Sequence, residues 1–224
     1  MKMIRKLALS LAVVLLTTPL ISAQDLSRYR KFALETSLSA LSKQIGQDPH
    51  QATLVHQSPA MIQELKYWPV ETSYSAVPAE PVSQILFSFY NGELYRIAVT
   101  YDQNAIEGMT EDDMVRAVSA RYGTGTRLYP EIDLPTHDLY MSPEKIVARW
   151  EDPQSSVVLF RANSSESFGL VVSSKRLDAQ AEAAIAESVK LDKEQAPQKE
   201  IDRQKKAADD LDIARLKNMK TFRP

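Results

Sequence analysis

The sequence predicts an α+β protein: two helix-plus-antiparallel-sheet modules followed by a long C-terminal helical arm. Three observations carry that expectation. Two β-prone runs flank Asn91-Gly92, a capped amphipathic stretch leads from Thr110 to Gly123, and a charged, Ala-rich stretch fills residues 178–220.

The N-terminus has three parts. Lys2, Arg5 and Lys6 precede an uncharged, mostly apolar run of ten residues, 7–16, and Thr17-Thr18-Pro19 then leads to Ile21-Ser22-Ala23. A positive start, a short apolar core and a small residue at the cut describe a secretory signal peptide. A bilayer span needs about 20 apolar residues. Cleavage after Ala23 is therefore expected, with a periplasmic or secreted product and no transmembrane segment after cleavage. Removal of 23 of the 224 residues leaves 201, enough to bury a core without staples. The chain has no cysteine, hence no disulfide and no lipidation site after the signal. Three basic residues leave with the signal, so 24 Lys and Arg face 29 Asp and Glu, a formal −5. That balance argues against nucleic acid and against an anionic membrane surface as partner.

The expected organisation is a signal peptide at 1–23, a first module at 24–104, a second at 105–174 and a charged helical arm at 175–224. In the first module, a type I′ turn at Asn91-Gly92 suits the need for positive φ at both central residues. A two-residue loop pairs Tyr90 with Glu93, Phe89 with Leu94 and Phe87 with Arg96. One face then carries Ile85, Phe87, Phe89, Leu94 and Ala98, and the other Leu86, Tyr95, Ile97 and Val99. Both are largely apolar and both need cover.

In the second module, Thr110 is a natural N-cap with Asp113 three residues on, and Gly123 suits the helix end. Strands are expected over 145–151, 155–161 and 167–173, with turns at Asp152-Pro153 and Asn163-Ser164-Ser165. Pro197 is expected to break or kink the arm. Within the arm, Leu177, Ala181, Ala184, Ile185 and Val189 form a stripe able to cover a sheet.

The front half repeats this plan. Residues 36–46 align with 113–123 at an offset of 77, with Ala40/Ala117, Ser42/Ser119 and Gly46/Gly123 identical and Leu38/Val115, Leu41/Val118 and Ile45/Tyr122 keeping the apolar stripe. Strand-like runs at 62–68, 85–90 and 93–101 follow the first helix, and each half holds one Pro-rich loop, 69–81 and 130–143. An internal duplication follows from this alignment.

A helix ending in Gly and followed by an antiparallel meander, twice over, resembles the tandem modules of the β-lactamase inhibitory protein family. It also resembles the single module of the small lipoprotein of the outer-membrane β-barrel assembly machinery, whose Gly-Met-Thr opening is echoed by Gly108-Met109-Thr110. The stretch from Phe89 to Thr110 is similar to a group of uncharacterised exported bacterial proteins. The resemblance spans about residues 30–174, and this chain departs from it in its missing lipobox cysteine, missing disulfides and long Pro-rich insertions. It implies an envelope interaction protein or a secreted inhibitor of a hydrolase.

No catalytic, cofactor or metal motif is present. His50, His56 and His137 lack the spacing of a zinc site, and there is no nucleophile elbow and no phosphate cradle. A small hydrolase with a spatially assembled carboxylate pair is the alternative outside motif reading. The expected function is a non-enzymatic interaction protein with another protein as partner. Trp68, Tyr74, Tyr129, His137 and Tyr140, clustered in or beside the Pro-rich loops, are the candidate contact residues. The arm beyond Pro197 has few apolar residues and reads as solvated or partner-binding.

Overall fold

The computed structural model describes residues 24–69, 81–127, 144–162 and 167–223. A two-stranded ribbon comes first, β1 (Arg28–Tyr29) and β2 (Phe32–Ala33), then α1 (Leu38–Ile45) and a 3-10 turn at Pro49–Gln51. Four strands follow: β3 (Thr53–His56), β4 (Ile62–Tyr67), β5 (Val82–Tyr90) and β6 (Glu93–Tyr101). After a second 3-10 turn at Asn104–Ile106 comes α2 (Glu111–Tyr122), then β7 (Thr126–Arg127), β8 (Glu144–Glu151), β9 (Ser155–Ala162) and β10 (Phe168–Ser174). The 47-residue α3 (Lys175–Thr221) closes the chain.

The eight strands β3 to β10 form one antiparallel sheet in the order β3-β4-β5-β6-β10-β9-β8-β7. Read inward from either edge, each half is a helix followed by four strands in sequence order. The two meanders meet last strand to last strand, with Leu170 opposite Val99 and Val172 opposite Ile97. The expected α+β architecture is present, and its two meanders are halves of one continuous sheet. The Pro-rich insertions do not occupy equivalent places: one joins β4 to β5, the other β7 to β8.

Both short helices form for the local reasons the sequence supplies. Ser37 caps α1 by accepting from the Ala40 N–H at 3.3 Å, and Gly46 ends it in the left-handed region at φ 72. Thr110 and Asp113 make a reciprocal capping box on α2.

The front face of the sheet is covered by the ribbon, α1 and α2. Leu26, Tyr29, Phe32 and Leu34, all before α1, enter the same core as Phe87, Phe89, Leu94, Met114 and Val118. The Phe32 ring meets Phe87 edge-on at 5.0 Å. At about 1.5–3 kcal/mol per buried large apolar side chain, this N-terminal segment is a structural layer in its own right.

The hairpin register differs from the sequence expectation. Phe89 opposes Leu94 as expected, but Ser88 opposes Arg96 and Phe87 opposes Ile97. One extra residue, Tyr95, is accommodated as a β-bulge. The slip moves Ile97 and Val99 onto the front face beside Ile85 and Phe87, and sends Tyr95 and Arg96 to the back. The front therefore takes nearly all the large aliphatic side chains of the hairpin.

The back face is crossed by α3, which packs on β10, β6 and β5. Leu177 and Ala181 close over Ile62 and Tyr95, with Tyr90 and Ile185 alongside. Val189, expected in this stripe, is 55% exposed; the buried residue at that level is Ser188. The helix runs unbroken through Pro197 rather than stopping there. Residues 192–223 are all exposed, so the carbonyl that the proline ring cannot serve is not buried without a partner. No described helix is long and apolar enough to cross a membrane.

Candidate functional site

Between the ribbon, α2 and the middle of the sheet lies a cavity of about 580 Å³. The ribbon contributes Tyr29 and Arg30; the segment leading into α2 contributes Ala105, Ile106 and Met109. Met114, Ala117, Val118, Arg121 and Tyr122 line it from α2, and Pro81, Tyr101 and Leu170 from the sheet side. Its size falls within the range of small-molecule sites. The 3.6-residue period of α2 makes this wall: Met114, Val118 and Tyr122 turn inward, while Ala117 and Arg121 reach the rim.

Three tyrosines form the polar part of the lining. Tyr29 and Tyr122 are buried, and Tyr101 is half-buried. The Tyr122 hydroxyl donates to the Arg28 carbonyl at 2.9 Å, tying α2 to the ribbon. Burial pushes the Tyr122 phenol up to about 12, partly offset by the adjacent, hydrogen-bonding Arg121. Burial likewise raises Tyr101 well above the ordinary phenol value, reinforced by its neighbours Tyr29 and Tyr122 and by its hydrogen bond with Tyr29. Tyr101 and Tyr122 are thus neutral at ordinary pH, and the single Tyr122 proton is spent on the Arg28 carbonyl. Arg30 sits in the left-handed region at φ 52 in the ribbon turn, its guanidinium 5.3 Å from the Tyr29 ring centre. Both arginines are exposed at the rim, and among the described lining residues there is no carboxylate. Asp25, close enough to influence Tyr122, is ion-paired with Arg28 at 2.7 Å.

No family model, no curated protein and no solved structure matches this chain.

Of the residues expected as contacts, one is described. Trp68 follows the end of β4 and is 55% exposed, away from the cavity. Tyr74, Tyr129, His137 and Tyr140 lie outside the described residues. His56, which lacks zinc-site spacing, stands on edge strand β3 and shares a 2.9 Å hydrogen bond with Ser188 of α3. This Ser-His pair is a tether between helix and sheet edge. The backbone N–H groups around Ser188 are spent inside the helix, so none is aimed at a developing oxyanion beside it. Among the described residues no cluster of His, Cys, Asp and Glu could hold a metal ion.

Sequence reasoning missed the cavity because its polar residues come from three distant places: Tyr29-Arg30, Tyr101 and Arg121-Tyr122. One signal was available. Leu26, Tyr29, Phe32 and Leu34 recur at intervals of two or three directly after the expected cleavage point, too apolar a run for a tail.

Proposed function

We propose that this chain is an exported, non-enzymatic binding protein of the bacterial envelope, holding a small, largely apolar molecule in the cavity between ribbon and α2. The observation that carries this reading is the lining itself: an apolar wall with a few phenol and guanidinium groups, which orient a ligand by hydrogen bonding. The tripartite N-terminus supports export.

The test is binding of a neutral, environment-sensitive naphthylamine dye to the mature protein. Bright binding that is lost in Ala117→Trp, which fills the cavity from its rim, supports the reading. Dye binding unaffected by that substitution rules it out. Export is checked by the intact mass of the envelope fraction, which should begin at Gln24.

A second reading, contact with a protein, has its own supporting observation. Edge strand β3 carries exposed Leu54 and Val55, next to exposed Met61 and Trp68. An open edge with apolar side chains is suited to receive an extended segment of a partner. Val55→Lys should abolish such pairing while leaving dye binding in the cavity intact.

A further inference from the structure

We infer that the distal end of α3 is an anchor for the surface of a bilayer rich in anionic phospholipid, its basic and apolar side chains seated together in the head-group layer. The inference is independent of the cavity reading.

Charge along the arm is not uniform. Residues 192–212 carry seven acids and five bases, whereas residues 213–223 carry Arg215, Lys217, Lys220 and Arg223 and no acid. The formal −5 of the mature chain thus hides a tip of +4. Among the described residues, the ion pairs of the arm lie nearer the sheet, Lys199 with Asp192 at 2.9 Å and Arg203 with Glu200 at 2.7 Å, and none engages the four cations of the tip. The helix dipole favours cations only in the last turn, which holds Lys220 but neither Arg215 nor Lys217.

The same stretch holds Ile213, Leu216, Met219 and Phe222, between 60% and 73% exposed. They are three residues apart, so at 3.6 residues per turn each lies about 60° back from the one before, and together they sweep about half the circumference. A coiled-coil partner needs a narrow seam that repeats every 3.5 residues, and this arc drifts off any such seam. A fluid head-group layer needs no seam. It takes up a broad apolar arc while interleaved Arg and Lys side chains lay their stems along it and extend their charges to the phosphates. A nucleic acid backbone would use the cations and leave the four apolar side chains in water.

The exposed helix from residue 192 to Thr221 is about 45 Å long at 1.5 Å per residue. That is several times the roughly 8 Å over which exposed charges act at physiological salt, so the acidic remainder of the chain does not repel the surface the tip engages. Asp209, Asp210 and Asp212 mark the inner boundary of the anchor, where like charge turns the helix away from the lipid.

The experiment floats the full mature protein with vesicles of phosphatidylcholine alone, or mixed equally with phosphatidylglycerol, at low and high salt. Binding to the mixed vesicles is expected, weakened by salt, with little to the neutral ones. Lys217→Gln with Lys220→Gln should weaken it about 25-fold, at roughly fivefold per basic residue near the surface. Leu216→Ser with Phe222→Ser should weaken it about tenfold or more, through the apolar area withdrawn from the interface. All four positions are exposed, and circular dichroism should show the native helix in both variants. Equal binding to the two vesicle types, or binding insensitive to either pair of substitutions, would overturn the inference. So would self-association in sedimentation that both variants abolish, without vesicle binding; a second copy of the chain would then be the occupant.

Discussion

The Arg96 guanidinium reaches Asp178 Oδ1 through both Nε, at 2.9 Å, and Nη2, at 2.7 Å. It joins the middle of β6 to the first turn of α3, and Glu182, one turn on, stands 3.4 Å from the same guanidinium. The bulge at Tyr95 makes the contact possible. Without that extra residue Arg96 would face the opposite side of the sheet. Arg96 and Asp178 are only 22% and 21% exposed, so their pairing is weakly screened. Asp178→Asn is expected to lower unfolding free energy by about 1–2 kcal/mol. Glu182→Gln, at a side chain 53% exposed, should cost less than about 0.5 kcal/mol. Urea denaturation of both variants checks the order.

The proximal and distal parts of α3 should differ sharply in their contribution to stability. Leu177 and Ala181 cover Ile62 and Tyr95, whereas residues 192–223 are exposed throughout. Truncation after Ser174 is expected to lower the melting temperature and raise binding of an apolar-surface dye. Truncation after Gln195 should change neither. Leu177→Ala alone should cost about 2–4 kcal/mol, as for other buried leucines. An unchanged melting temperature after the longer truncation would remove α3 as the cover of the back face.

What was legible in the sequence follows a physical line. Asn91-Gly92, the Thr110-Asp113 box and the strands around Trp150 are set by local chemistry, and all are present. The bulge at Tyr95 was not legible, because alternation on both sides of it looks regular and only the packing of Ile97 against the front core shows the slip. β3 and β7 were missed because strands of four and two residues carry no periodicity of their own. Pro197 does not break the arm for a related reason: its cost depends on whether the affected carbonyl is buried or wet, which propensity cannot say. The cavity was illegible because each of its polar groups is ordinary alone; only the fold brings Tyr29, Tyr101 and Tyr122 together.

Acid should loosen the junction between β8 and α3. Glu151 accepts from Lys175 Nζ at 3.0 Å and from Arg149 Nη1 at 3.1 Å, and the Lys175 bond foremost holds its carboxyl below the usual 4.5. A depressed carboxylate contributes stability that is present above pH 4.5 and is lost as pH falls through the lower, folded value. Melting temperature should therefore fall with acidification in the native protein. In Glu151→Gln it should start lower and fall less steeply; parallel curves would contradict the assignment.

Alkali should act through the tyrosines of the cavity. Tyr122 is raised from 10.0 to about 12, and Tyr101 is raised further, so the native state keeps protons that the unfolded chain releases. Their contribution is present below pH 10.0 and declines as pH rises toward the folded values. Phenolate absorbance should show these two of the nine tyrosines ionising late, together with unfolding. Tyr122→Phe should shift the alkaline loss of stability to a gentler slope, at the expense of the bond to the Arg28 carbonyl.

Gly125 is required by the Trp150 indole rather than by its own backbone. The ring lies where a Cβ at Gly125 would sit, and no left-handed φ obliges a glycine there. Trp150 cannot yield freely. It is 2% exposed, and its indole N–H donates to the Gly123 carbonyl at 2.7 Å, locking β8 to the end of α2. Gly125→Ala must therefore push the ring off its acceptor, compress the core, or both, at about 1–3 kcal/mol. Trp150→Leu removes the ring and the bond together, and is itself destabilising by about 2–4 kcal/mol through the void it leaves. Once the ring is gone, a methyl group at position 125 has room. The penalty of Gly125→Ala should consequently shrink to a few tenths of a kcal/mol in the Trp150→Leu background, a coupling that a double-mutant cycle reads directly. An equal penalty in both backgrounds would place the requirement for glycine in the backbone and overturn the steric account.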